Sequence, residues 1–192
     1  MVSRETLISR YFPENEEAIR RFAAFLTSSG IERGVIGPQE GERIWERHIF
    51  NSLPVSTLIP EGSTVIDIGS GAGLPGIPLA LARPDLHVTL IEPLQRRVDF
   101  LVEATAELDI EVLRGRAQEI KMKVDFITAR AVAPLGKLKL MSWHLLKQGG
   151  TLLAIKGASA FEEVARTPGA QLHEITMEDL PLGRIISLQK AG

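Results

Sequence analysis

The chain has 192 residues, no cysteine and a formal net charge of −2. Its length predicts one domain with a substantial core, or a core with a small extension. The lack of cysteine excludes disulfides, thiolate metal sites and cysteine nucleophiles. No apolar run approaches the roughly 18 residues of a membrane span, and the N-terminus has no signal-peptide pattern, so we expect a soluble cytoplasmic protein.

The first 60 residues have the pattern of helices. Between residues 14 and 29 the apolar side chains recur at helical spacing, with Arg20 and Arg21 outside the apolar stripe. Shorter helices are predicted over residues 40–50 and 52–58. We therefore predict that residues 1–62 form an N-terminal helical extension, packed on a core formed by residues 63–192.

From Ser63 onward, strands and helices alternate. Strands are predicted from Ser63 to Ile68 and over residues 87–91, 110–113, 124–128, 151–155, 171–176 and 184–188. Helices are predicted over residues 77–82, 94–108, 135–147 and 160–165. This order predicts an α/β fold, with a seven-stranded, mostly parallel, doubly wound sheet that carries helices on both faces.

A glycine-rich turn follows the first predicted strand. Four glycines stand between Gly69 and Gly76, where they let the backbone approach a ligand closely. A strand, a glycine loop and a helix N-terminus together predict a cofactor cradle. The spacing from Gly71 to Gly76 matches the dinucleotide fingerprint, and Glu92 stands where a ribose-binding acid belongs, so NAD is one candidate.

Asp67 favours a different cofactor. It gives the pattern Asp-x-Gly-x-Gly-x-Gly, which resembles the first motif of Rossmann-like methyltransferases that use S-adenosylmethionine. The ammonium and sulfonium of that cofactor tolerate an acidic strand end better than a pyrophosphate does. We expect Asp67 either to order the loop amides or to meet the ligand. We expect Glu92 to accept hydrogen bonds from both ribose hydroxyls.

Positive charge is concentrated in one part of the chain. Residues 112–156 hold nine Lys or Arg and two Asp or Glu, whereas the segments on either side are acidic overall. Such a block fits charges in solvent on loops and helix faces, and it fits equally a face that binds phosphate groups.

Several motifs together resemble one family. They are residues 47–53 (RHIFNSL), 67–76 (DIGSGAGLPG), 95–101 (QRRVDFL), 115–118 (GRAQ), 129–133 (ARAVA) and 154–157 (AIKG). The chain resembles the RsmG (GidB) family of bacterial 16S rRNA guanine-N7 methyltransferases. The resemblance implies a Rossmann-like class I methyltransferase fold. It also implies S-adenosylmethionine as methyl donor and S-adenosylhomocysteine as product. The implied substrate is 16S rRNA, free or in a small-subunit ribosomal particle.

Cofactor contacts are expected along the glycine loop and beyond it. The residues that the resemblance implies are Gly69, Leu74, Ala117, Gln118 and Arg130, and the loop pattern adds Asp67, Gly71, Gly73 and Glu92. Family members commonly have an acid at the position of Gln118. An amide can still accept a hydrogen bond from the adenine amino group, so we expect binding to survive.

Arg130 is the predicted catalytic residue. Guanine N7 has an exposed lone pair and no proton to remove, so the enzyme needs no general base and works by alignment and electrostatics. An arginine at the end of a central strand can donate to guanine O6 or to the cofactor carboxylate. Both roles stay open.

A further group of residues is predicted to contact the RNA, and its members are His48, Asn51, Arg116, Lys137 and Lys156. Each has an alternative as a packed or solvated side chain. The histidines show no ligand spacing, so no metal site is predicted. Two other functions remain open, a nucleotide-binding regulatory module and a small-molecule methyltransferase of the same fold.

Overall fold

The computed structural model describes residues 2–192 and contains a seven-stranded sheet. The strands are β1 (Thr64–Ile68), β2 (His87–Glu92), β3 (Glu111–Arg114), β4 (Val124–Arg130), β5 (Leu146–Lys156), β6 (Ala170–Ile175) and β7 (Gly183–Gln189). Their order in the sheet is β3-β2-β1-β4-β5-β7-β6. The first five are mutually parallel, and β7 is antiparallel to both β5 and β6. The predicted seven-stranded, mostly parallel sheet is confirmed.

Helices cover both faces of the sheet. The α-helices are α1 (Arg4–Tyr11), α2 (Glu16–Phe25), α3 (Gly76–Ala82), α4 (Gln95–Ala104), α5 (Leu135–Ser142) and α6 (Ala160–Arg166). Successive residues of a strand point to opposite faces. Val65 accordingly packs in one apolar cluster with residues of α2, α3 and α4, whereas Ile66 packs in a second with residues of α5 and α6.

The segment before the sheet is helical, as predicted. After α2 it continues as π-helical turns at Leu26–Gly30 and Ile44–Ile49 and as 3₁₀ turns at Pro38–Arg43, Phe50–Ser52 and Pro54–Leu58. Helix α1 was not predicted, because its few apolar residues form no extended stripe. Ile8 and Phe50 from this segment share an apolar cluster with Leu79 and Phe100. The division of the chain at residue 62 stays a prediction.

The boundary between α5 and β5 differs from the prediction. The helix predicted to Lys147 ends at Ser142, a 3₁₀ turn follows, and β5 begins at Leu146. Leu146 pairs with Val124 of β4, and a register shift separates this pair from the rest of the ladder. The prediction failed here because strand pairing and burial of Leu146 override the local helical spacing.

The crevice that forms the site lies between β1 and β4. These neighbouring parallel strands end at the same edge of the sheet, and the chain leaves them toward opposite faces. Helix α3 follows β1 and packs in the first cluster, whereas α5 follows β4 and packs in the second. In parallel α/β sheets, ligands bind at such a reversal of strand order.

Replacing Gly76 by alanine tests the close packing of β1, β2 and α3. A Cβ there would lie 2.3 Å from Leu90 Cδ2 and 2.9 Å from Asp67 Oδ2. We expect the free energy of unfolding to fall by about 1–3 kcal/mol, measured by urea denaturation. Gly136→Ala in α5 is the control, since a Cβ there meets nothing within 4 Å. An equal loss in both variants would contradict the packing argument.

Candidate functional site

The glycine loop after β1 has a backbone that only glycine adopts easily. Gly69 and Gly73 have φ values of +62° and +83°. A Cβ on Gly69 would lie 2.9 Å from Val132 Cγ2, and one on Gly73 would lie 2.5 Å from Ile77 Cδ1. The loop therefore requires glycine both for its dihedral angles and for its packing.

Asp67 lies beneath this loop and is completely buried. Its Oδ2 accepts a hydrogen bond from the Gly76 amide at 3.2 Å, and its Oδ1 accepts one from Thr128 Oγ1 at 3.0 Å. Burial raises the pKa of Asp67 to about 6, against the opposing effect of its hydrogen bonds. The carboxylate thus orders the loop from below, and the cofactor contact predicted for it has no accessible surface in this structure.

Glu92 approaches the loop from the end of β2. Its Oε2 accepts from the Gly71 amide and its Oε1 from the Leu94 amide, both at 3.0 Å. The side chain is almost fully buried, and Arg97 Nη1 lies 3.9 Å from Oε2. Each carboxylate oxygen keeps a second lone pair, so the ribose contact stays a prediction.

A cavity of about 290 Å³, the loop pocket, lies above the glycine loop. Its walls include Ile36, Glu40, His48, Gly69, Gly71, Leu74, Arg97 and Arg130. The Nε atom of Arg97 is buried in this wall without a hydrogen-bond partner. A buried donor without a partner is costly, and because this atom has no accessible surface it is not open to a ligand in the pocket.

A second cavity, of about 610 Å³, adjoins the first at the ends of β4 and β5, and we call it the strand-end pocket. Its walls include Arg47, His48, Asn51, Arg130, Ala131, Lys156 and Ser159. His48, Arg130 and Ala131 line both pockets. The structure therefore brings the predicted catalytic residue to the boundary between a cavity over the loop and a cavity beside it.

Arg130 is a largely buried cation held by His48. Its Nη2 donates to His48 Nδ1 at 3.1 Å, and its Nη1 lies 3.4 Å from the His48 carbonyl oxygen. Burial lowers the pKa of Arg130, while the charges of Asp67 and Glu40 oppose that shift. None of the carboxylates in residues 2–192 forms an ion pair with it. Its remaining N–H groups can therefore receive an anionic ligand.

Ala131, the next residue, has a left-handed backbone with φ +55°. A non-glycine residue in that region stores strain, and such strain is concentrated at functional sites. The alanine gives no sign of this conformation in the sequence. Sequence reasoning therefore missed it, although it did single out the Arg-Ala pair.

The predicted RNA contacts are distributed unevenly. Lys156 Nζ lies 3.0 Å from Glu163 Oε2 and donates to the Ala133 carbonyl at 2.8 Å, so its charge is already balanced inside the strand-end pocket. Asn51 lines that pocket and is half-buried. Arg116 and Lys137 are exposed and lie outside the walls of both pockets. All of these RNA contacts stay predictions.

Ala117 and Gln118 lie in a 3₁₀ turn after β3, at the same edge of the sheet as the glycine loop. Ala117 is buried, Gln118 is exposed, and neither lines the two pockets.

Glu40, which the sequence did not single out, contacts His48 Nε2 through its Oε2 at 2.5 Å. The helical pattern of residues 40–50 could not place Glu40 at the site, because that contact depends on how the turns fold back.

The family model described as rRNA small subunit methyltransferase G (GidB) matches residues 15–181. Proteins named ribosomal RNA small subunit methyltransferase G include one from Salinispora tropica, 54% identical over 75% of this chain and 64% of its own length. Another, from Corynebacterium jeikeium, is 55% identical over 76% and 68%. The chain belongs to this family. It spans about two thirds of the length of these relatives.

Solved structures with similar folds include a named methyltransferase and a protein in complex with AdoMet. A Pyrococcus furiosus methyltransferase superposes with a TM-score of 0.58 at 14% identity, covering 73% of this chain and 81% of that one. M. jannaschii TYW2 in complex with AdoMet gives 0.54 at 17% identity, with 76% of each chain covered. At such identities the likeness concerns the fold alone, and the predicted Rossmann-like methyltransferase fold is confirmed.

None of the helices in residues 2–192 is long and apolar enough to cross a membrane. The same residues contain no group of three or more His, Asp or Glu side chains arranged to hold a metal ion.

The pKa of Asp67 gives a testable pH dependence. Since it lies above the ordinary 3.8, the Asp67 contribution to the free energy of unfolding is full below pH 3.8 and is lost as the pH rises through about 6. Thr128→Val removes a hydrogen bond to the carboxylate, so it raises this pKa further, measured by carbon-13 NMR titration of the carboxyl group. Thr89→Val is the control, because its hydroxyl donates to Glu111. An Asp67 pKa that is the same in Thr128→Val as in the wild type would contradict the assignment.

Proposed function

We propose that this chain transfers a methyl group from S-adenosylmethionine to N7 of a guanine in 16S rRNA, in the cytoplasm, and releases S-adenosylhomocysteine. The observation that carries the proposal is the pair of adjoining pockets that meet at Arg130, one of them above the glycine loop. Membership of the methyltransferase family supports the reaction, and it does not favour a regulatory module or a small-molecule methyltransferase.

The loop pocket carries groups that suit S-adenosylmethionine. The bare backbone of Gly69 and Gly71 forms a cradle without side chains. Glu92, almost fully buried and outside the pocket wall, holds the Gly71 amide, and its ribose contact stays a prediction. Arg130 has unused N–H groups for a carboxylate. The bound cofactor supplies an electrophilic methyl group on sulfur. Ala117 and Gln118, at the same edge of the sheet, would contact the adenine.

Charge favours the cofactor carboxylate over guanine O6 as the partner of Arg130. Guanine gains positive charge as N7 is methylated, so a guanidinium held against the ring would oppose that charge. A guanidinium that binds a carboxylate in a bidentate manner is neutralised and gains geometric precision. The same contact aligns the reacting atoms, which is the main contribution an enzyme can make to this displacement.

The strand-end pocket is the proposed site of the guanine. It is larger than the loop pocket and shares Arg130 and Ala131 with it. Enzymes that modify a base inside folded RNA take that base out of its stack into such a cavity. Arg47 on the rim is more than half exposed and pairs with Glu40 Oε1 at 3.3 Å, which leaves its other N–H groups for phosphate. We include His48, Asn51, Arg116, Lys137 and Lys156 among the proposed RNA contacts.

Arg130→Ala tests the role of the central cation. We expect kcat for tritiated methyl transfer to small ribosomal subunits or 16S rRNA to fall about 100-fold, with weaker binding of S-adenosylhomocysteine by calorimetry. Arg166→Ala is the matched control, since that side chain is 81% exposed on α6. Wild-type turnover of a folded Arg130→Ala variant would remove Arg130 from the site.

Lys137→Ala tests the proposed RNA surface. The side chain is exposed and has no ion-pair partner within the described part of the chain. We expect a several-fold higher KM for RNA and a decrease of about 1 in the steepness of the salt dependence of RNA binding. Affinity for S-adenosylhomocysteine should not change. The same salt dependence in Lys137→Ala and Arg166→Ala would contradict the RNA contact.

The cofactor and substrate classes are tested separately. Calorimetry with S-adenosylhomocysteine and with NAD distinguishes a methyltransferase from a nucleotide-binding module. Tight NAD binding without a response to S-adenosylhomocysteine would overturn the proposal. Tritium incorporation absent from both free rRNA and assembled subunits would contradict the RNA substrate.

A further inference from the structure

Three polar side chains form a continuous chain at the boundary between the two pockets. Glu40 Oε2 lies 2.5 Å from His48 Nε2, and His48 Nδ1 lies 3.1 Å from Arg130 Nη2. A guanidinium has only donors, so Nδ1 must accept the hydrogen bond. The imidazole hydrogen is therefore on Nε2, where it is donated to Glu40. This arrangement requires a neutral His48 in one tautomer.

We propose that Glu40 and His48 are positioning residues that hold the Arg130 guanidinium at the junction of the two pockets, and that protonation of His48 releases it. The inference rests on the proposed function, because it assumes that Arg130 takes part in methyl transfer. Glu40 selects the tautomer, His48 supplies the acceptor, and Arg130 meets the ligand.

Arg130 needs such a holder because its own surroundings do not fix it. It is largely buried, and its direct hydrogen bonds are both to His48, through Nδ1 and through the carbonyl oxygen. A long side chain loses much rotamer freedom when it is held in one position. Anchoring two of its N–H groups on a rigid imidazole and a backbone carbonyl leaves the others for a ligand, already oriented.

The charged groups around His48 explain why it is neutral. Burial lowers the pKa of His48, and the nearby cations Arg130 and Arg47 lower it further, whereas Glu40 raises it. An imidazolium has no acceptor at Nδ1, so it would lose the Arg130 hydrogen bond and repel the guanidinium. Asp67 is a second group that titrates near Arg130, with a pKa of about 6, so a pH profile must separate the two.

Two substitutions of His48 separate its two contacts. In His48→Asn the amide oxygen lies near the former Nδ1 and can accept from Arg130, and the side chain does not titrate. In His48→Gln the longer side chain reaches Glu40 but gives Arg130 no acceptor in place. We expect kcat to fall about 10- to 100-fold in His48→Gln and clearly less in His48→Asn. Equal losses in the two variants would overturn the proposal.

Variants of Glu40 test the tautomer. Glu40→Gln keeps an oxygen that accepts from Nε2, so we expect it to retain most of the activity that Glu40→Ala loses. Glu42→Gln is the control, since Glu42 is exposed and lies outside both pockets. Thermal unfolding of every variant separates a loss of positioning from a loss of fold.

The pH profile gives a readout that a structural role would not change. In the wild type, kcat should fall on the acid side as His48 becomes protonated and Asp67 is neutralised. In His48→Asn the decrease in kcat that is caused by protonation of the imidazole disappears. The decrease that remains at acid pH follows the titration of Asp67. An acid limb identical in wild type and His48→Asn would overturn the release on protonation.

The activities of the variants distinguish a failure of the positioning proposal from a failure of the proposed function. If Arg130→Ala is impaired and His48→Gln and Glu40→Ala are not, only the positioning fails. If Arg130→Ala itself has wild-type kcat, the role of Arg130 fails. Adding His48→Gln to Arg130→Ala should cause no further loss, because both act through one contact. Nitrogen NMR of the wild type at pH 8 should show hydrogen on Nε2 of His48, and hydrogen on Nδ1 would overturn the proposal.

Discussion

A carboxylate buried at the end of β1 is the constraint on which the site depends. Asp67 binds the first amide of α3 through Gly76 and the hydroxyl of Thr128 on β4, so one side chain joins two central strands and a helix. Burying it raises its pKa, which is a cost that the fold tolerates because both oxygens are hydrogen-bonded. The glycine loop then passes over this carboxylate with its backbone facing the loop pocket.

The reversal of strand order between β1 and β4 turns that local arrangement into two pockets. The loop after β1 borders one pocket, Val132 after β4 borders the other, and Ala131 borders both. Arg130 ends β4 and therefore lies where the two meet. Val132 lies so close to Gly69 that only glycine fits at that position. The loops that follow the two strands are therefore packed against each other. A single cation can consequently act on a ligand in either pocket.

Several cations in the positive block of residues 112–156 have partners within the protein. Fewer of its charges are therefore free in solvent than its composition indicates. Lys147 pairs with Asp125 at 2.9 Å and Lys156 with Glu163 at 3.0 Å. Lys123 donates to the His144 carbonyl. The exposed cations of this block without an ion-pair partner in the described residues are Arg114, Arg116, Lys121, Lys123 and Lys137. A phosphate-binding surface would therefore be smaller than the sequence count implies.

The sequence by itself determined the features that depend on neighbours along the chain. The alternation of strands and helices follows from local periodicity. The glycine loop is recognisable because its residues lack a Cβ. Asp67, Glu92 and Arg130 could be placed because they stand at the ends of predicted strands. The family resemblance rested on the same local motifs. All of these are encoded within a few residues of each other.

Only the tertiary structure decided which distant residues meet. Arg130 contacts His48 across 82 residues of sequence, and Glu40 joins them because irregular helical turns fold back over the loop. The start of β5 at Leu146 and the positive φ of Ala131 are likewise set by strand pairing and by packing between loops. The physical reason is that spacing along a chain specifies periodicity, whereas the contacts that position a charge arise from long-range packing.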